Sequence, residues 1–371
     1  MLKKLLPMVI AVVMVLGMST SVIASKLNTS DQSNIFETKF VEMAYNEIKE
    51  QILTDYQKFY KVDNFDYDFE LRSDNEYKYF DINIYVDMAL TRHPSDSPFV
   101  QGMEKALKES SDKAEKEMLQ GEIDAYVNEI ESLYYNIPNR STFTYTIRFD
   151  NSTHLIADDS TSAYQIYYRT DTDDGIILTE NNKLADVENP TTEFRDGYNM
   201  RESVDLSHSA TNSLLASFTY DRIAARDWAR DNYDAAPEYP SKDVPGTDCA
   251  NFVSKAINNG GILQDKQGKW YQAATWGGWP GDHWFRTGYN KKTGVVIYMT
   301  DKGYFYKESK ESTVNAGSIM YWNNKSHVAL VTYGDGITIK YTEHGARQTK
   351  DTVYRTIDDA SFYKPSSSIL K

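Results

Sequence analysis

Residues 246–261, Gly246-Thr247-Asp248-Cys249-Ala250-Asn251-Phe252-Val253-Ser254-Lys255-Ala256-Ile257-Asn258-Asn259-Gly260-Gly261, read as a turn that enters a helix. Asp248 has the side chain of an N-cap, Phe252, Val253, Ala256 and Ile257 give the buried face, and Gly260-Gly261 supplies the stop. Cys249 then falls in the first helical turn, where backbone N–H groups are unpaired and the helix dipole is positive. Both features favour thiolate over thiol and lower the ordinary cysteine pKa of ~8.5. The same N–H groups can receive an oxyanion. Taken alone, a cysteine so placed reads equally as a small buried apolar residue. Asp248 reads first as a cap, worth ~0.5–2 kcal/mol, and second as a group that shapes an oxyanion site.

A thiolate that cleaves acyl bonds needs a base, most often a histidine held by a third polar group. Downstream, Gly317 to Trp322 reads as a strand, Asn323 to Ser326 as a polar turn, and His327 to Tyr333 as a second strand with His327 at its opening edge. Gly334-Asp335-Gly336 is a tight turn into a third strand, Ile337 to Thr342, which leads to Glu343-His344. So short a hairpin returns the end of the third strand to the start of the second, placing Glu343 or His344 beside His327. Side chains alternate, so only one of the two faces it. The bland alternative is that His344 is a satisfied strand-end histidine and Glu343 a surface acid.

Around these segments the sequence carries two further features. Phe218 to Tyr233 has helical spacing and a stripe of Arg222, Arg226 and Arg230, read as a face neutralised by Asp221, Asp227 and Asp231 in preference to a carboxylate-binding surface. Trp270, Trp276, Trp279 and Trp284 are spaced by Gly and Pro instead of helical period, so they read as a loop of large flat surfaces. Core packing is their first reading, and a groove wall formed by Trp276, Trp279 and Trp284 that stacks on sugar rings is the second. His283, His327 and His344 lack a short ligand spacing, and Cys249 with one or two of them leaves a zinc site short of ligands, so no metal or cofactor is expected.

The whole chain has 371 residues, 40% hydrophobic and 25% charged, which is the composition of a globular protein of two or three domains. A net charge of −14 disfavours nucleic acid and anionic bilayers as partners. The single cysteine leaves no intramolecular disulfide and asks for a reason of its own. Residues 201–371 hold 21 basic and 19 acidic residues and all six tryptophans, leaving 19 and 35 for residues 1–200, so a net of +2 follows a net of −16. The shift places a domain boundary in the polar stretch 181–212, read as a linker between residues 25–180 and residues 213–371. The earlier part reads as α+β. It has a helix from Phe36 to Tyr60, alternating strands at Phe65–Leu71, Phe80–Met88 and Phe143–Phe149, and one long helical stretch from about Phe99 to Tyr135. His93 and His154 read as solvated loop histidines. Lys3 and Lys4, the apolar run Leu5 to Met18 and Val22-Ile23-Ala24 read as a secretory signal peptide cut after Ala24, with no stable membrane insertion of the mature chain.

The segments YDRIAARDWARDNY, DCANFVSKAINNGG, WYQAATWGGWPGDHW and SHVALVTYGDG with YTEHG together resemble the family called putative amidase domain, itself similar to papain-like cell-wall hydrolases of the NlpC and CHAP types. The resemblance covers about residues 217–356. It implies a helix plus antiparallel half-barrel with Cys249 as nucleophile, His327 as base and His344 as third residue. Lys255 stands where Gln is expected and Ser318 where the related enzymes have Asp. The resulting expectation is an α+β chain whose later, papain-like part is a secreted cysteine amidase or peptidase acting on peptidoglycan stem peptides or cross-bridges. A protein-directed protease or transpeptidase is the nearest competitor. A degenerate wall-binding or adhesion module is the reading from another class.

Overall fold

In the computed structural model, which describes residues 32–150, 164–172, 175–180, 190–203, 218–238, 248–273, 279–288, 292–345, 347–355 and 358–371, the alternating runs of the earlier part become strands. Helix α1 (Gln32–Tyr56) leads into β1 (Tyr60–Ser73) and β2 (Tyr77–Leu90), an antiparallel pair whose register sets Phe69 opposite Ile82. β3 (Asn139–Asp150) lies along β2, and β4 (Tyr164–Thr172) and β5 (Gly175–Glu180) continue antiparallel from β3. One face of this sheet is apolar: Ile82, Ile84, Val86, Phe143 and Ile147 pack against Ala44, Ile48 and Ile52 of α1. Burying such a side chain contributes roughly 1.5–3 kcal/mol. The other face carries Asp81, Thr144, Thr146, Arg169 and Asp171, all buried and polar.

The long helical stretch is in fact two helices, α2 (Pro98–Glu109) and α3 (Lys113–Leu133). The break is local chemistry: Asp112 Oδ1 accepts from Ala114 and Glu115 N–H at 2.7 and 3.0 Å, which starts a new helix instead of continuing the old one. The stretch read as a linker contains a helix in its described part, α4 (Pro190–Tyr198), which crosses α2 at close range. A Cβ on Gly197 would lie 1.9 Å from the Phe99 carbonyl oxygen, and one on Gly102 would lie 2.1 Å from that of Phe194, so the crossing needs both glycines. Residues 1–31, 181–189 and 204–217, with the signal-peptide reading, lie outside the described residues, as does His154. His93 is half-buried, capping a short turn through Ser95 N–H and lying edge-on to Tyr135.

The later part holds α5 (Arg222–Asp231), α6 (Asp248–Asn259), α7 (Asp282–Phe285) and α8 (Val295–Asp301). Its strands are β6 (Phe305–Glu308), β7 (Ile319–Trp322), β8 (Val328–Gly334), β9 (Ile339–His344), β10 (Gln348–Val353) and β11 (Ala360–Pro365). β8 and β9 form the expected hairpin, with Leu330 opposite Thr342. Val328 and Leu330 pack toward α6 among Phe252, Val253 and Ile257. Ala329 and Val331 pack the other way, with Met320, Trp322 and Tyr341.

The two parts share one sheet in the order β1-β2-β3-β10-β9-β8-β7-β11-β6, joined where β10 pairs parallel to β3 at Thr352 and Thr142. The join is tight. Tyr333 and Val353 belong to the earlier part's core, and the Tyr60 and Tyr333 hydroxyls both donate to Asp335 Oδ2, at 2.7 and 2.8 Å. The described residues are therefore α+β in both parts, and no described helix is long and apolar enough to cross a membrane.

Candidate active site

Cys249 lies in the first turn of α6, fully buried, in the same core as Val328, the residue after His327. Asp248, just before it, does not spend its described hydrogen bonds as a simple cap. Its Oδ1 accepts from Glu238 N–H at 2.9 Å and from the Asn251 amide at 3.1 Å, while Oδ2 is bonded to His344 Nδ1. Burial pushes the Asp248 carboxyl up, but the His344 bond, the Glu238 N–H and the Asn251 amide outweigh it and hold it below the usual range. His344 stacks on Phe252 with ring centroids 4.2 Å apart, and its Nε2 faces the Asn232 carbonyl at 3.3 Å. Both of its ring nitrogens are thus engaged, and it pins the start of α6 and the end of α5 to the end of β9.

Alternation along β9 turns the neighbouring Glu343 to the opposite face, and there its Oε2 is bonded to His327 Nε2. Of the two candidates at this strand end, Glu343 is the one that holds the His327 ring. The partnership expected for His344 is replaced by its pairing with Asp248. Both members of the His327–Glu343 pair are fully buried. Glu343 Oε1 accepts from the Thr349 hydroxyl at 3.1 Å, and Trp322 packs on the imidazole with centroids 4.7 Å apart. Burial drives the Glu343 carboxyl above its usual range; His327 and Thr349 oppose the rise and the charge of Asp171 adds to it.

Other residues singled out in the sequence take structural places. Trp284 is fully buried and donates from Nε1 to Asn251 Oδ1 at 2.8 Å, so it is core and not a groove wall. Trp270 is buried too and donates to the Ser254 hydroxyl at 3.1 Å. Trp279 is 64% exposed and available for contact, whereas Trp276 lies outside the described residues. Of the arginine stripe, Arg226 pairs with Asp227 at 2.8 Å as the sequence reading has it, but Arg222 grips Glu129 of α3 with two bonds of 3.0 and 2.9 Å, and Arg230 reaches Asp351 of β10 at 2.9 Å. Lys255 pairs with Glu238, and Ser318 is buried against Asn315 Oδ1. Asn232, Glu238, Thr349 and Asp171 carried no local signal; each reaches the site from another segment, which spacing along the chain does not reveal. Among the described residues no group of three or more His, Cys, Asp or Glu is gathered to hold a metal ion.

A cysteine at a helix start, and a histidine on the hairpin packed against that helix whose Nε2 is held by a buried carboxyl group, are the kinds of group able to form and break an acyl–sulfur bond. Comparison with family models matches residues 219–368 to the family described as "Putative amidase domain". That region spans α5 to β11, and the match supports an amidase, a hydrolase of amide bonds. Neither the curated proteins nor the solved structures gave a match.

Proposed function

We propose that the chain is a cysteine amidase in which Cys249 is the nucleophile, His327 the base and Glu343 the residue that orients His327. The observation that carries this reading is the buried His327 Nε2–Glu343 bond on the hairpin that packs against the cysteine-bearing helix. In this reading His327 Nδ1 is the proton-transfer position. It takes the proton of Cys249, and the thiolate attacks the amide carbonyl. The imidazolium then returns the proton to the leaving amine, and a water activated by the same ring hydrolyses the acyl-enzyme. The helix-start N–H groups of α6 receive the oxyanion. Cys249 on the first turn of a helix packed against antiparallel strands supports a papain-like description of the later part. The double engagement of His344 speaks against it as the proton carrier.

The proposed substrate is peptidoglycan, at its stem peptides or cross-bridges, and the proposed location is outside the cell, following the reading of residues 1–24 as a signal peptide. Digestion of purified peptidoglycan with residues 25–371, followed by mass spectrometry, tests this beside Cys249→Ala and His327→Ala. New amine or carboxyl ends are expected with the native sequence and in neither variant. Cleavage that survives Cys249→Ala would overturn the mechanism, and cleavage of proteins but not of peptidoglycan would overturn the substrate.

A further inference from the structure

The earlier part of the chain reaches the candidate active site directly. Gly345, next to the Glu343-His344 pair, sits between the two parts: a Cβ placed on it would lie 2.8 Å from the Asp171 carbonyl oxygen and 3.2 Å from His327 Cε1. The end of β4 and the imidazole therefore converge on one glycine. The Asp171 side chain is itself buried, with Oδ2 accepting from Arg169 Nε at 3.0 Å. Arg169 is fully used, donating also to the Tyr145 carbonyl and to Asn83. Asp171 Oδ1, by contrast, is buried with no hydrogen-bond partner among the described residues. A carboxylate oxygen left so is costly unless positive charge develops close by.

We propose that Asp171 is a positioning residue of the Cys249–His327 site, supplied by the earlier part of the chain, and that it stabilises positive charge on the His327 ring while the thiolate exists. The proposal rests on the reading of His327 as the base. It makes the earlier part a component of the active site and not an appendage. The charged groups facing this cluster are Glu343 from β9, Asp171 and Arg169 from β4, and the Asp248–His344 pair beside Cys249. Asp358, bonded to the Thr170 hydroxyl at 2.7 Å, and Arg355 lie behind them. Asp171 and Glu343 are like charges close enough for Asp171 to raise the Glu343 carboxyl, and in this proposal each favours the imidazolium.

The test is a pH titration of thiolate absorbance in the full chain, read as the difference from Cys249→Ala so that reagent access to the buried sulfur plays no part. The native protein is expected to form thiolate well below the ~8.5 of a free cysteine. Asp171→Asn is expected to raise that midpoint by about one pH unit, and Asp171→Glu to restore most of it. If Asp171→Asn does not fold, the double variant Asp171→Asn, Arg169→Gln removes both buried charges and is expected to move the midpoint the same way. An unmoved or lowered midpoint in a folded Asp171 variant, with a low midpoint in the native protein, overturns the role of Asp171 and leaves the cysteine mechanism standing. A native midpoint near that of a free thiol overturns both.

Discussion

Replacing Glu343 by glutamine separates the proposed role of the carboxylate, orienting His327, from any role in stability. The amide keeps the shape and can still accept from His327 Nε2 while donating to Thr349, so the ring stays roughly where it is. What is lost is the charge. A hydrogen bond to a charged group contributes ~1.5–3 kcal/mol against ~0.5–1.5 for a neutral one, so the imidazolium loses at least ~1 kcal/mol of support. Full burial of both partners makes the loss larger, up to the ~4 kcal/mol that two charges about 4 Å apart exchange at an effective dielectric of ~20. The fall in kcat/KM on an amide substrate is therefore expected between about five-fold and a thousand-fold, carried by kcat. Stability should move the other way. The Glu343 carboxyl sits above its usual range, so its contribution is fully present below the ordinary glutamate value of ~4.3 and is lost as pH rises through the raised value. At pH 7 burial of this carboxyl is therefore a burden, and Glu343→Gln is expected to melt at the native temperature or slightly higher. Steady-state kinetics beside thermal unfolding checks both halves. Native kcat/KM in a folded Glu343→Gln protein would refute the assigned role, and a lowered melting temperature would refute the sign argument.

Three further outcomes follow from the same structure. Asp248→Asn breaks the charge-assisted bond to His344 and is expected to cost about 1.5–3 kcal/mol at pH 7; because Asp248 titrates below its usual range, the gap to the native protein should close as pH falls below ~3.9, and urea denaturation across pH would show a constant gap if this is wrong. Gly197→Ala drives a methyl to 1.9 Å from the Phe99 carbonyl and should cost ~1–3 kcal/mol, whereas Gly121→Ala, with nothing near its Cβ in α3, should gain ~0.5–1 kcal/mol; equal melting temperatures for the two would contradict the packing. Cutting the chain to residues 218–371 strips the partners of Tyr333, Val353, Lys340 and Arg355, so the fragment is expected to lose the cooperative urea transition of the whole chain; a sharp transition with a native thiolate midpoint would show the later part to be independent.

The later part was legible because its signals are local. The helix start at Cys249, the tight Gly334-Asp335-Gly336 turn and the period-two run from His327 are each written within a few residues, and together they put His327 and the end of β9 side by side. The choice between Glu343 and His344 was not local. It depends on which face of β9 meets α6, and that is settled by Phe252 and Asp248, which claim His344 and turn Glu343 toward His327. The arginine stripe misled for a related reason: its spacing matches a solvated helix face, but Glu129 and Asp351, far away in sequence, come to meet it. The polar stretch 181–212 looked like a linker because α4 buries little apolar surface; its packing runs through backbone contact at Gly102 and Gly197, which leaves no hydrophobic period to read. Least legible was the join of the parts. A single parallel contact between β3 and β10, backed by tyrosine hydroxyls on Asp335, has no signature in either segment alone.

That join bears on the chemistry. Cys249 and His327 are both 0% exposed, so charge formed on them is far from solvent and must be matched by fixed groups. The buried residues around them supply such groups in pairs: Asp248 with His344, Asp171 with Arg169, and Glu343 with His327 itself. In the proposed mechanism, when a proton passes from sulfur to the ring, the thiolate gains the positive helix start of α6, and the imidazolium gains Glu343 with the proposed support of Asp171. The later part supplies the helix start and Glu343, but Asp171 comes from β4. A charge shift that is costly in an apolar core thus becomes accessible where two halves of one sheet meet, which gives a physical reason for the acidic earlier part to be fused to an amidase domain.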